Sequence, residues 1–144
     1  MTTHSNWKTL LAFILEDFSC QSGTIHRSDD EGTLSLVCQI GVPDSLLDKI
    51  SSIPFGKGIA GAAAERKEPV ELCNLQQDLG GVAKADARQT GVSGSIALPI
   101  FAPDSQRVIG TLGVGKFKPY EFTDSEKTRL RHYTAEIARH FTEK

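Results

Sequence analysis

An α+β fold organised on an antiparallel sheet is predicted by three features of this 144-residue chain. First, the apolar runs Ser95–Ala102 and Arg107–Phe117 flank Pro103-Asp104-Ser105-Gln106. There Pro fixes φ and Asp supplies local hydrogen bonding, so the pair reads as a hairpin. Second, residues 23–28 and 33–40 read as another strand pair around the turn-rich Asp29-Asp30-Glu31-Gly32. Third, helical periodicity brackets both hairpins, at Trp7–Phe18 and again after Phe122. Both runs of the later hairpin are too apolar to be solvated on two faces, so the rest of the chain must cover them.

The length suits one domain, residues 1–144, with a single core. Hydrophobic residues at 39%, charged residues at 24% and a net charge of −2 lie near globular averages, so nucleic acid and anionic membrane are not expected partners. No apolar run approaches the ~20 residues of a bilayer span. The start MTTHSNWK lacks the basic and apolar stretches of a signal peptide, which leads to a cytoplasmic expectation. Cys20, Cys38 and Cys73 form no CxxC pair and read as reduced thiols packed as small apolar groups.

Trp7, Leu10, Leu11, Ile14, Leu15 and Phe18 recur at helical spacing, and Phe13 widens the stripe. A stripe that broad is where a dimer contact is expected. In the segment 33–40, Leu34, Leu36, Cys38 and Ile40 alternate with mostly polar neighbours, predicting one core face. Asp44 is placed as the cap of a short helix over Asp44–Ile50, with Leu46, Leu47 and Ile50 grouped on it. Next, the glycine-punctuated turn Phe55-Gly56-Lys57-Gly58 runs into an alanine-rich helix that Lys67-Glu68-Pro69 closes. Val70–Cys73 is a short strand candidate. The polar stretch Asn74–Gly94, with a possible helical piece at Ala83–Gln89, is long and irregular enough to be a binding loop. Finally Thr123 and Glu126 are spaced as a capping box, and Leu130, Tyr133, Ile137 and Phe141 mark the buried face of the last helix. The expected order is α-β-β-α-β-α-β-β-α.

Gly56-Lys57-Gly58-Ile59-Ala60-Gly61 spells GxGxxG, with Asp78 near the position of a ribose-binding acid. A dinucleotide site needs a parallel βαβ unit, and the preceding Ser51-Ser52-Ile53-Pro54-Phe55 is short and broken by proline, so that reading is rejected. The glycines then either make the turn and pack closely or present amides to an anionic group. His4, His26, His132 and His140 lack metal-ligand spacing and read as solvated, and no metal is expected. Gly91-Val92-Ser93-Gly94-Ser95 does not match GxSxG, and Asp29, Asp30 and Glu31 read as turn charge, so no catalytic residue is nominated.

The later hairpin does suggest a pocket. Ile109, Thr111, Gly113, Gly115 and Phe117 alternate onto one face, and the two glycines remove side-chain volume from its middle. A small polar ligand is expected there, under the loop Asn74–Gly94, with Cys73, Asp86, Arg88, Ser95, Thr111, Gly113 and Gly115 as its contacts. No cofactor is specified.

The segments FGKGIAGAAAERKEPVEL, SGSIALPIF, RVIGTLGVGKF and YEFTDSEKTRL resemble a GAF domain, and the resemblance extends over essentially the whole chain. It implies a central antiparallel sheet, terminal helices packed on one face, and a loop-covered ligand pocket on the other. Within the family, FGKGIAG is most similar to free methionine-(R)-sulfoxide reductases. The catalytic thiols of that pattern fall on Ala60 and Lys84, and the acids of its substrate cage on Ser95, Gly113 and Gly115. The cyclic-nucleotide motif is only partly echoed by Lys116, Phe122 and Glu126, with Gly115 in place of its asparagine. The resemblance therefore implies a non-catalytic sensory module, a homodimer through its terminal helices. The alternatives are a divergent sulfoxide reductase-like enzyme and a ligand-free dimeric scaffold.

Overall fold

The computed structural model describes residues 4–72 and 93–142. Helix α1 (His4–Phe18) leads into β1 (Ser22–Ser28) and β2 (Thr33–Ile40). One turn of 3₁₀ helix (Asp44–Leu46) and α2 (Leu47–Ile50) follow, then β3 (Ser52–Pro54), α3 (Gly58–Arg66) and β4 (Val70–Leu72). The hairpin β5 (Gly94–Phe101) and β6 (Val108–Lys116) precedes α4 (Asp124–Thr142). The strands form one six-stranded sheet in the order β3-β2-β1-β6-β5-β4, and every adjacent pair is antiparallel. This is the predicted α+β architecture, and the antiparallel β2–β3 pairing removes the βαβ context that a dinucleotide fingerprint needs.

Helices α1 and α4 pack on one face of the sheet. Their Leu11, Ile14, Phe18, Leu130, Ile137 and Phe141 enclose Ile25, Ile96, Leu98, Ile100, Leu112 and Val114. Gly23 lets α1 approach, because a Cβ there would come within 2.7 Å of the Leu15 side chain. Helix α3 lies on the opposite face, where its alanines meet Ala97, Val70 and Leu34. Small side chains on α3 allow this close seat.

Sheet cations tie down both terminal helices. Lys116 Nζ, buried under the Tyr120 ring at 4.3 Å, donates to the carbonyl oxygen of Phe18 at 2.6 Å. The Arg27 guanidinium donates to the Phe141 carbonyl oxygen at 2.7 Å. Positive charge at a helix C-terminus satisfies otherwise unpaired carbonyls and complements the helix dipole. At the other end of α4 the capping box forms as predicted: the Thr123 amide donates to Glu126 Oε1 at 2.9 Å and the Glu126 amide to Thr123 Oγ1 at 3.1 Å.

Several expectations are corrected. Leu34, Leu36, Cys38 and Ile40 do not share a face, because β2 slips register opposite Ile25 and His26. Leu34 packs under α3 while Cys38 and Ile40 join the α1 side, the effect of a β-bulge that doubles one strand's residues against its partner. A register shift at Ile100 and Phe101 likewise sends Ile109 into the helix-side core and away from Thr111. Asp44 is not a cap: Pro43 holds that position and no side-chain cap bond forms. Phe13 does not widen the core, as it is 60% exposed.

Candidate functional site

The sheet face turned away from α1 and α4, which α3 covers at Ala97, carries the candidate site beside that helix, and strand pairing defines its centre. Along β1 and β6, Ser22 faces Gly115, Thr24 faces Gly113 and His26 faces Thr111. On the other side of β6, Gly115, Gly113 and Thr111 meet Ser95, Ala97 and Pro99 of β5. Alternation puts all of these on one face. Apart from His26 they are small, whereas the reverse face of the same strands carries Ile25, Ile96, Leu98, Leu112 and Val114. The fold thus spends its bulk on the helix side. Gly113 and Thr24 are only half-buried, and a Cβ on Gly113 would touch Thr24 Oγ1 at 3.1 Å. Thr111 and Ser95 are buried. Of the predicted contacts, Ser95, Thr111, Gly113 and Gly115 therefore come together, while Cys73, Asp86 and Arg88, the loop from Asn74 and the helical piece Ala83–Gln89 lie outside the described residues.

His26 was expected to be solvated and is instead 1% exposed. Its place in the polar-looking run Gly23–Ser28 hid this; the alternation of Thr24 and His26 around Ile25 is the signal that puts it beside Thr111. His26 Nε2 lies 2.8 Å from the Ile50 carbonyl oxygen, which only accepts, so Nε2 carries the proton. Burial, opposed by that hydrogen bond, holds the imidazole pKa below its ordinary range. Above pH 6.5 the ring is therefore neutral, and its Nδ1 is a lone-pair acceptor. Among the described residues neither Nδ1 nor the Thr111 hydroxyl has a hydrogen-bond partner, although both are buried.

Charged side chains of the same strands point elsewhere. Arg27 and Lys116 are the helix ties described above, so the lysine that echoes a cyclic-nucleotide motif faces α1 and not this site. In the turn before α3 the first amides are already paired within the chain. The Gly56 amide donates to the Gly61 carbonyl oxygen at 2.7 Å, and the Glu65 carboxylate sits 3.1 Å from where a Gly56 Cβ would be. Gly56, at φ +92°, and Gly61, whose Cβ would meet the Pro54 carbonyl oxygen at 2.6 Å, are there for the turn and its packing. Among the described residues no group of His, Cys, Asp and Glu is arranged to hold a metal, and no helix is long and apolar enough to cross a membrane.

A groove of about 460 Å³, which sequence reasoning missed, runs beside α4 at the end of β5. It is lined by Leu98, Pro99, Phe101, Ala135 and Ala138, with Arg131 and Arg139 at its rim. Among the described residues β4 pairs with β5 only as far as Ala97, and the groove lies beside the rest of β5.

No curated protein matches the sequence. Among solved structures, the GAF domain of a phosphoenolpyruvate-protein phosphotransferase from Coxiella burnetii superposes with a TM-score of 0.80 at 20% identity, covering 96% of this chain and 81% of that one. Free methionine-R-sulfoxide reductase from Neisseria meningitidis, solved in complex with its substrate, gives 0.77 at 19% identity, covering 96% of this chain and 77% of that one. A domain of a sensor histidine kinase protein from Sinorhizobium meliloti gives 0.76 at 16% identity, covering 99% and 92%. At such identities the superpositions speak to fold. The sequence itself matches the GAF domain family model over residues 8–141, and the chain accordingly belongs to the GAF domain family, small-molecule-binding sensory and regulatory modules that are mostly non-catalytic.

Proposed function

We propose that this GAF domain is a non-catalytic regulatory module that binds a small polar molecule on the sheet face formed by Ser95, Thr111, Gly113 and Gly115. The observation that carries this reading is the inequality of the two faces of β1, β5 and β6. One is filled with Leu, Ile and Val; the other, beside the Ala97 that seats α3, has glycine, serine and threonine at its centre. Glycine weakens a strand, so a pair of them in a central one calls for an occupant that comes close. Cys73, Asp86 and Arg88 remain proposed contacts from the sequence. The test is mass spectrometry of the native protein purified without denaturation, beside a Gly113→Val variant. A small molecule is expected to co-purify with the wild type and to be lost from the variant; equal retention would refute the site.

A sulfoxide reductase-like activity is disfavoured by the described thiols. Burial pushes Cys20 up to about 11 and also raises Cys38, whereas reduction requires a readily formed thiolate. Signal output is assigned to a homodimer through the terminal helices. Phe13 projects from α1 beside Tyr133 of α4, their ring centroids 6.3 Å apart, and supplies an apolar contact on that outer surface. Sedimentation of wild type against Phe13→Glu tests this, with the dimer expected to dissociate in the variant.

A further inference from the structure

Buried polar atoms without partners are rare in folded proteins, and two of them face each other across β1 and β6. His26 Nδ1 offers only a lone pair, because Nε2 carries the ring proton toward the Ile50 carbonyl oxygen. The Thr111 hydroxyl has a proton to give and rotates to give it. The two do not satisfy each other. Their neighbours on the face, Thr24, Gly113, Ala97 and Pro99, bear no charge, and the cations of β1 and β6 are committed to helix ends. An ammonium or a carboxylate would find no countercharge from these strands. A hydroxyl, donor and acceptor in one group, is the chemistry that matches both atoms.

We propose that His26 and Thr111 are the recognition end of the ligand site and take a neutral hydroxyl group of a sugar, polyol or hydroxylated ring. That hydroxyl donates its proton to His26 Nδ1, and its oxygen accepts from the Thr111 hydroxyl. The inference rests on the sheet face being the ligand site. It adds the chemistry of the group bound there. The half-buried Thr24–Gly113 pair, one alternation step along both strands, is the approach to the closed His26–Thr111 pair.

Two measurements on the full chain test it. The first is thermal unfolding of ligand-free wild type and Thr111→Val, a near-isosteric exchange. Removing a hydroxyl that lacks a partner is expected to raise the melting temperature; a lowered one means that the hydroxyl is already satisfied within the protein and overturns the proposal. The second follows the imidazole nitrogens of His26 by NMR during titration with glycerol, myo-inositol and glucose, with methylammonium and acetate as controls. A shift of Nδ1 with the hydroxylated probes, retained in Thr111→Ser and lost in Thr111→Val, is expected. An Nδ1 that ignores the polyols, or moves equally with the charged controls, overturns the hydroxyl assignment. If the Thr24 and Gly113 amides still respond to any probe, the sheet-face reading survives; if they too are silent, both fall.

Discussion

The imidazole Nε2 of His26 and the carbonyl oxygen of Ile50, 2.8 Å apart, join the middle of β1 to the last residue of α2. Because burial lowers the His26 pKa from its ordinary 6.5, the unfolded chain binds a proton below that pH which the folded chain refuses. Folding stability therefore falls as pH drops through about 6.5 toward the folded pKa, and is fully present above it. Urea unfolding on either side of pH 6.5 is expected to show this slope in the wild type and a shallower one in His26→Gln. Identical slopes would contradict the neutral, Nε2-protonated ring.

Lys116→Met keeps the aliphatic stem and removes the charge that caps α1. A hydrogen bond from a charged group contributes about 1.5–3 kcal/mol, and the Phe18 carbonyl keeps only the weak Cys20 thiol donor at 3.8 Å. A destabilisation of that size is expected in urea titrations. A much smaller loss would mean that water replaces the lysine there.

Thr123→Ala breaks one half of the capping box and is expected to cost about 1 kcal/mol. Glu126→Ala removes the acceptor of both the Thr123 amide and the Tyr120 hydroxyl, the latter at 2.8 Å, so its cost should be the larger. Thermal unfolding of the two variants ranks them directly.

Two glycines of β6 should behave oppositely. At Gly110 a Cβ would overlap the His26 carbonyl oxygen and come within 2.8 Å of the Phe141 ring, so Gly110→Ala must displace backbone and is expected to cost more than about 3 kcal/mol. At Gly113 the one tight neighbour is Thr24 Oγ1, at 3.1 Å, and Gly113→Ala is expected to stay within about 1 kcal/mol of wild type. Comparing their denaturation midpoints checks the assignment of Gly113 to ligand approach and of Gly110 to packing.

The hairpins and the start of α4 were legible because local chemistry specifies them: Asp29 Oδ1 accepts from the Glu31 and Thr33 amides, and Thr123 and Glu126 cap each other. What depends on pairing was not legible. Strict alternation assigned Leu34 and Cys38 to one face, and nothing in TLSLVCQI signals the register slip opposite Ile25 and His26. The short edge strand β3 escaped because Pro54, its last residue, ordinarily argues against a strand and is tolerated at an edge. Within the site, small residues marked Gly113, Gly115 and Ser95. His26 was missed because a histidine's burial depends on a carbonyl 24 residues away, at Ile50.

Gly115 and Lys116 are consecutive, yet one lies on the face opposite α1 and the other holds the end of α1. In the proposed site a single peptide plane thus stands between a molecule bound at the glycine and the rod that carries Phe13 to the surface. A tilt of that plane by an arriving molecule would be felt as a tug on the rod, with no hinge or domain closure in between.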